Sequence, residues 1–508
     1  MAVTLCVPPR AGELCAPVRF LVRQDSIVME LTARHRITSV EWDEYERAVA
    51  MVVEITDPQT ARPVDVRIDV VVAGTPPSDA RTRAIGTVLR DGRRYDVLGT
   101  YLGVVADENW RTATDGARVS ATKRTAAIVG VHNTRQGRRL DGETSRGLAI
   151  KAIQGALDDA GLSLDDVDGI SASPHSTSLI YDLRIGPAWQ GLAFGVGLIT
   201  EAVTAIEHGM ADVVVLVAAQ AGEYRDHEAT APWTRPENEF VAPWGMFTTA
   251  EFALIARRHM HVYGTTREQL SIVASTIRNN GSQNPEAVYY QRGPFTPDDT
   301  TASRPIADPF HLLDCATTSE GGCALVVANL DKVLDKGVAA SRPIYVLGSG
   351  ADFHGPSYQH PPAWDLAGRR GDFVNGQVGA RAARGAFRHA GIRPDDVDVL
   401  ELYDPFSFEI IRQLEAFGFC GEGEGGPFVA DGHIAIGGSH PITTDGGTMS
   451  FSRAGANPQM MQRAIRAVQQ LRGEAGALQV PDAHIALCSN GGAGALFTTV
   501  LIVGDEPR

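Results

Sequence analysis

Two stretches of this chain follow one plan at one spacing. Residues 147–174 read GLAIKAIQGALDDAGLSLDDVDGISASP, and residues 379–407 read GARAARGAFRHAGIRPDDVDVLELYDPFS. Ala160-Gly161 falls on Ala390-Gly391, and Asp165-Asp166-Val167-Asp168 falls on Asp395-Asp396-Val397-Asp398. Gly155-Ala156 lands on Gly385-Ala386 in the same register. Each stretch reads as a helix, a turn rich in aspartate, and a strand. The chain therefore carries a duplicated α/β unit, and only the second copy ends in a polar cluster, Tyr403-Asp404. Strands that alternate with helices imply a parallel sheet covered on both faces.

The bulk numbers narrow the partners. With 508 residues the chain exceeds one ordinary core, so several domains are expected. A net charge of −15 speaks against sequence-independent nucleic-acid binding, which needs Lys and Arg to neutralise phosphates. Apolar runs such as 213–219 are far shorter than the roughly 20 residues a spanning helix requires. The opening MAVTLCVPPR has no charged n-region and makes a poor secretory signal. Six cysteines in so long a chain make no disulfide framework, and none stands in a C-x-x-C pair. A reduced, cytoplasmic protein is expected. His354, His360, His433 and His440 lack metal-ligand spacing, so no metal site is expected.

Residues 1–121 differ in texture from the rest. Residues 27–31, 50–55 and 66–72 read as strands, 75–79 as a turn and 90–93 as a hairpin tip. They predict a small β-rich or α+β appendage, which ends in the polar run 111–124. A buried strand at 125–131 opens the first half, followed by helices from Ser145 and at 197–209 and a strand at 211–219. Residues 222–315, with Trp233, Trp244, Tyr289, Tyr290 and Arg292 and a helix over 249–263, interrupt this rhythm as an insertion or lid. A strand at 322–328 completes the half. The second half runs from a strand at 344–348 through a helix at 458–472 to strands at 483–488 and 497–503. The expected domains are 1–121, 122–340 and 341–508.

In parallel α/β sheets, ligands collect at the carboxyl ends of strands. Three second-half segments fall there: 403–407 (YDPFS), 444–448 (TDGGT) and 488–494 (CSNGGAG). Gly446-Gly447 and Gly491-Gly492 could let a backbone approach a ligand and aim N–H groups at a thioester oxygen or its enolate.

From about residue 124 onward the chain resembles the thiolase superfamily, and within it the lipid-transfer, sterol-carrier-protein-x type. The resemblance rests on AEFALIARRHMHVYGTTREQL (250–270), NPEAV (284–288), SRPIADPFHLLDC (303–315), TSEGG (318–322), YDPFS (403–407) and LEAFGFC (414–420). It implies an α/β fold of duplicated βαβαβαββ halves in a layered αβαβα core, a CoA thioester as substrate and no covalently bound cofactor. It also implies a homodimer and, for the aldolases of this type, a small OB-fold/zinc-ribbon partner protein.

The departures from the family pattern are informative. Claisen-type thiolases carry an acyl-accepting Cys at the start of a first-half helix. Here that slot falls near 192–195, and no Cys lies between Cys15 and Cys315. The His that closes the second family signature is replaced by Arg453, and the residue heading the third is Tyr403. Cys488 matches the family's acid/base Cys, and Asp404 is read as an orienting acceptor or cap. The pattern resembles thiolase-like aldolases, which cleave β-hydroxyacyl-CoA with tyrosines and carry a second Tyr at the place of Arg453. The implied catalytic set is Tyr403, Cys488, Arg453 and Asp404, with Gly446, Gly447, Gly491 and Gly492 lining the substrate. Two alternatives stand beside the lyase: an acyltransferase using Cys488 alone, and a non-catalytic subunit that binds acyl-CoA.

Overall fold

The structure is a computed structural model that describes residues 17–32, 35–55, 63–76, 82–104, 126–173, 176–193, 195–222, 248–336, 342–353, 378–454, 456–492 and 497–507. The chain divides into two compact units, Met1–Ser120 and Ala121–Arg508. Trp233, Trp244, His354, His360 and the run 111–124 lie outside the described residues.

The first unit contains β1 (Val18–Val22), β2 (Ser26–Thr32), β3 (His35–Asp43), β4 (Ala48–Ile55), β5 (Pro63–Val72), β6 (Thr82–Arg90) and β7 (Arg93–Val104). They form two antiparallel sheets, ordered β1-β4-β3 and β2-β5-β7-β6, around Met51, Val53, Ile68 and Val97. The β6–β7 connection is the two-residue hairpin expected at 90–93. Asp91 (φ 49°) and Gly92 (φ 73°) take the left-handed conformation that matches strand twist.

The second unit carries the repeat. Its first half runs through β8 (Ala126–Asn133), α1 (Ser145–Ala160), β9 (Gly169–Ser173), α2 (Ser176–Leu183), β10 (Trp189–Gln190), α3 (Gly197–Glu207) and β11 (Val213–Gln220). Next come α4 (Thr248–Tyr263), α5 (Arg267–Gln283), α6 (Pro297–Ala302), β12 (Pro305–Ala307), β13 (Phe310–His311), β14 (Gly321–Asn329) and α7 (Leu330–Val333). The second half comprises β15 (Ile344–Phe353), α8 (Ala380–Ala390), β16 (Val399–Glu401), α9 (Ser407–Phe417), α10 (Gly425–Ala430), α11 (Ala456–Arg472), β17 (Ile485–Gly492) and β18 (Phe497–Gly504).

The sheet is ordered β10-β9-β11-β14-β8-β15-β18-β17-β16. Read outward from the antiparallel β8–β15 seam, each half gives its first, fourth, third and second long strand. In each half the second and third strands are parallel and the fourth is antiparallel. The duplicated residues perform duplicated tasks. Asp168 accepts the amides of Asp212 and Val213 at the start of β11, and Asp398 accepts those of His484 and Ile485 at the start of β17. Helix packs on strand so closely that a Cβ on Gly130 would lie 2.1 Å from the Ala156 carbonyl, and one on Gly348 2.2 Å from that of Ala386.

Three cores give the layering. The alternation of β11 sends Val213, Val215 and Val217 to the outer helices α1 and α2, and Val214 and Leu216 to a central layer. That central layer holds Leu198 and Ile199 of α3 beside Met461, Ile465 and Val468 of α11, and strands from both halves cover it. The far faces of β17 and β18 pack on α8, α9, α4 and α5. The layers run helix, first-half strands, central helices, second-half strands, helix, in line with the αβαβα expectation. The described part of the interrupting segment is packed core, with Leu270, Val273, Ala274 and Ile277 of α5 at 0% exposure. No helix among the described residues is long and apolar enough to cross a membrane.

Candidate active site

Parallel pairing of β16 with β17 delivers Tyr403 and Asp404 to a strand end just ahead of α9. Tyr403 is buried, its amide donates to Ser489 Oγ (3.0 Å), and its carbonyl accepts from Gln413 Nε2 (2.7 Å). Asp404 is wholly buried and accepts the amides of Thr448 (2.8 Å) and Met449 (3.1 Å). Its carbonyl takes the Thr448 hydroxyl at 2.6 Å. Burial pushes its carboxyl up to about 7, against the pull of Arg463. These bonds tie the Tyr403 strand end to the short helical turn Gly447–Phe451.

That turn is clamped from below by buried charges. Asp445 accepts the Gly447 amide (2.8 Å) and receives both Nη atoms of Arg463 at 2.8 and 2.9 Å. Arg463 Nη1 also lies 3.6 Å from Glu401 Oε2, and Arg463 is 0% exposed. Arg466 reaches the Thr444 hydroxyl and carbonyl, and Thr444 donates to Glu401. The Gly446 amide is taken by the Thr443 carbonyl at 3.1 Å. Both turn amides are therefore satisfied inside the protein, not directed at a ligand as expected. Gly446 (φ 103°) is required for another reason, because a Cβ there would lie 2.4 Å from the Gly281 Cα of α5. Gly491-Gly492, expected as a second donor loop, continue β17 in register with Thr498 and Phe497 of β18.

The helix mouth where a thiolase nucleophile would stand is filled differently. The amides of Leu192 (2.9 Å) and Ala193 (2.8 Å) donate to Glu201 of α3. A Cβ on Gly195 would lie 2.1 Å from Asn490 Nδ2. Cys488, expected as the acid/base thiol, is 0% exposed within the central core, its Sγ 3.7 Å from the Arg463 carbonyl. Burial, then the nearby Glu401, pushes its thiol well above the ordinary range. The alternation of β17 decides this placement, because Ser489 rather than Cys488 points to the Tyr403 side.

Residues 315–320 thread between the two halves of the site. Cys315 pairs with Phe406, and the Ala316 amide donates to the Pro405 carbonyl. Thr317 and Ser319 donate to the Thr448 and Arg453 carbonyls, and the Arg453 amide returns to Ser319 Oγ at 2.8 Å. Arg453 thus borders the same segment as Pro405 and Phe406, and its charge reaches the Cys315 thiol. Its Nε is buried without a hydrogen-bond partner among the described residues. Beside it, the Tyr289 and Val288 amides donate to the Ser450 and Phe451 carbonyls. Tyr403, Asp404, Gly446, Gly447 and Arg453 are therefore gathered round one turn; Cys488 lies outside the group. The buried Arg463–Asp445–Glu401 cluster and the setting of Tyr289 have no signal in the sequence pattern.

Duplicated sheets, a central helix pair and polar groups at the second half's strand ends define a protein of the thiolase-fold class. Residues 367–505 match the family model "Thiolase C-terminal domain-like". The chain is 33% identical over 350 residues to "Steroid side-chain-cleaving aldolase" of Thermomonospora curvata, covering 64% of this chain and 85% of that protein. It is 31% identical to "17-hydroxy-3-oxo-4-pregnene-20-carboxyl-CoA lyase" of Mycobacterium tuberculosis, covering 68% of this chain and 92% of that protein. It is also 31% identical to an acetyl-CoA acetyltransferase of Methanothermobacter thermautotrophicus, covering 73% and 97%. The solved "Ltp2-ChsH2(DUF35) aldolase" superposes with a TM-score of 0.64 at 28% identity, covering 75% of this chain and 98% of that one. The chain belongs to the thiolase superfamily of acyl-CoA enzymes, in its lipid-transfer, thiolase-like aldolase branch.

Proposed function

We propose that this protein is a carbon–carbon lyase that cleaves a lipid- or steroid-derived β-hydroxyacyl-CoA by a retro-aldol reaction. The observation that carries this reading is the state of the first-half helix mouth. Glu201 occupies its amides and Asn490 closes the Gly195 side, so no sulfur is offered for an acyl-enzyme. Retro-aldol cleavage needs no covalent nucleophile. It moves one proton off the β-hydroxyl and one onto Cα, and it needs a partner for the thioester enolate between those events. Tyr403 is assigned one proton transfer. Arg453, with its unpartnered Nε, is assigned to the enolate oxygen. Asp404 is a positioning residue that fixes Tyr403 against the Gly447–Phe451 turn.

The aldolase and lyase relatives, by the reactions they are named for, support the steroid thioester class. The similarity to the two-component Ltp2-ChsH2 aldolase supports a small partner protein, in addition to the homodimer expected from the family. The test is incubation with a panel of β-hydroxyacyl-CoAs, with and without free CoA. Ketone or aldehyde plus a shortened thioester supports the lyase, and Tyr403→Phe is expected to lower kcat by about 10²-fold or more. Chain exchange with free CoA would instead establish an acyltransferase. Tight binding without turnover would establish a non-catalytic subunit.

A further inference from the structure

The lyase reaction moves two protons, and Tyr403 accounts for one. A second phenol stands on the other side of the Arg453 segment, in a setting that nothing in the sequence pattern marks. We propose that Tyr289 is the catalytic base that takes the β-hydroxyl proton, an inference that rests on the lyase reading.

The Tyr289 and Val288 amides donate to the Ser450 (3.1 Å) and Phe451 (3.0 Å) carbonyls, so Tyr289 is laced to the strand of chain that leads into Arg453. Its ring is half-buried and faces guanidinium groups from three places. Arg278 of α5 lies 4.9 Å from the ring centre, Arg292 of its own loop 5.2 Å, and Arg138 of the segment after β8 5.8 Å. Arg138 Nη2 also donates to the Tyr289 hydroxyl at 3.2 Å, and Thr317, whose own hydroxyl donates to the Met449 carbonyl at 2.9 Å, lies beside it. Arg278 cannot turn away. It is 1% exposed, and its guanidinium donates to the carbonyls of Leu313, Met449 and Cys315 at 2.7–3.0 Å. The ring of Phe295, at 6.3 Å, completes the surround.

Such a setting makes the phenol easier to ionise. Burial opposes ionisation of Tyr289, but the charge of Arg278, the neighbouring Thr317 hydroxyl and the charge and bond of Arg138 outweigh it and hold the phenol below its ordinary range.

The step balances without a co-reactant. The Tyr289 phenolate takes the β-hydroxyl proton, the C–O bond becomes a carbonyl, and the Cα–Cβ bond breaks. Its electron pair enters the thioester as an enolate held by Arg453. Tyr403 then gives a proton to Cα. The shortened acyl-CoA and the ketone or aldehyde leave, and proton return from Tyr289 to Tyr403 restores the site.

The experiment measures kcat/KM against pH for the full chain, Tyr289→Phe and Arg138→Gln, with product identity checked. Tyr289→Phe is expected to lose about 10²-fold or more in kcat/KM, together with the acid limb of the profile. Arg138→Gln removes an exposed cation and its bond to the Tyr289 hydroxyl, so it keeps the fold and moves that limb to higher pH. Tyr289→Phe cleaving within threefold of the wild type on an unchanged profile overturns the inference and leaves the lyase reading standing. Should Tyr289→Phe fail to fold, the Arg138→Gln limb decides: a shift supports the assignment, and no shift overturns it. Absence of cleavage by the wild type sinks the lyase reading first, and this inference with it.

Discussion

Replacing Arg463 by Met should unfold the second unit more readily, and more so at alkaline pH. Arg463 is fully buried and its two Nη atoms lie 2.8 and 2.9 Å from Asp445, with Glu401 Oε2 at 3.6 Å. Methionine fills part of the volume but leaves two buried carboxyls facing each other. Removing one partner of a buried pair costs about 3–5 kcal/mol. Some of that returns, because Arg466 and Thr444 still serve the Glu401 side. More returns by protonation. Burial, then Asp445, already raises the Glu401 carboxyl from its ordinary value to about 7. A carboxyl whose folded pKa is raised gives stability that is present below its unfolded value and lost as pH rises through the folded one. Without Arg463 that window widens upward, so the variant binds a proton the wild type does not. Each unit of further shift is worth about 1.4 kcal/mol, so a loss of about 4 kcal/mol at pH 8 should shrink to about 2–3 at pH 6. Among the described residues every helix belongs to the second unit, so urea unfolding followed by the helical circular-dichroism signal reports on it. A loss below about 1 kcal/mol at pH 8, or a greater loss at pH 6 than at pH 8, would refute this account of the cluster.

Two further variants separate positioning from packing. Asp404→Asn keeps the shape but sets an NH2 against one of the Thr448 and Met449 amides, an unsatisfied donor pair worth about 1–3 kcal/mol. The wild-type carboxyl, raised by burial to about 7, loses its stabilising share as pH rises from about 4 through 7. Unfolding curves of Asp404→Asn across that range should show a flatter pH dependence, and an unchanged slope would argue against the shift. Cys488→Ala should lose about 1 kcal/mol of stability from the central core while kcat stays within threefold, measured on the thioester the wild type cleaves. A collapse of kcat with intact stability would return Cys488 to the catalytic group.

What the sequence could disclose follows from how local each signal is. Helix, aspartate turn and strand are set by residues a few positions apart, so the repeat showed itself as letters. Asp168 and Asp398 do one task because each closes the same local turn onto the next parallel strand. The site is harder because its partners are brought together by the sheet. Asp404 and Thr448 come from different segments, as do Tyr289, Arg138 and Arg278, and no spacing rule links them. Paired glycines announce that a backbone can come close, but not what it comes close to. Gly446 admits the backbone of α5, and its amide is already spent on Thr443. A cysteine in a glycine-rich segment is equally ambiguous until strand alternation is known, and here one position of alternation separates Ser489, which faces Tyr403, from Cys488, which faces the core. That parity explains how a chain can keep a cysteine in a thiolase-like motif and still bury its thiol in the core. Under the proposed lyase reading the chemistry falls to Tyr289, Tyr403 and Arg453, and the Arg278 charge that eases ionisation of Tyr289 is held in place by bonds to buried backbone carbonyls.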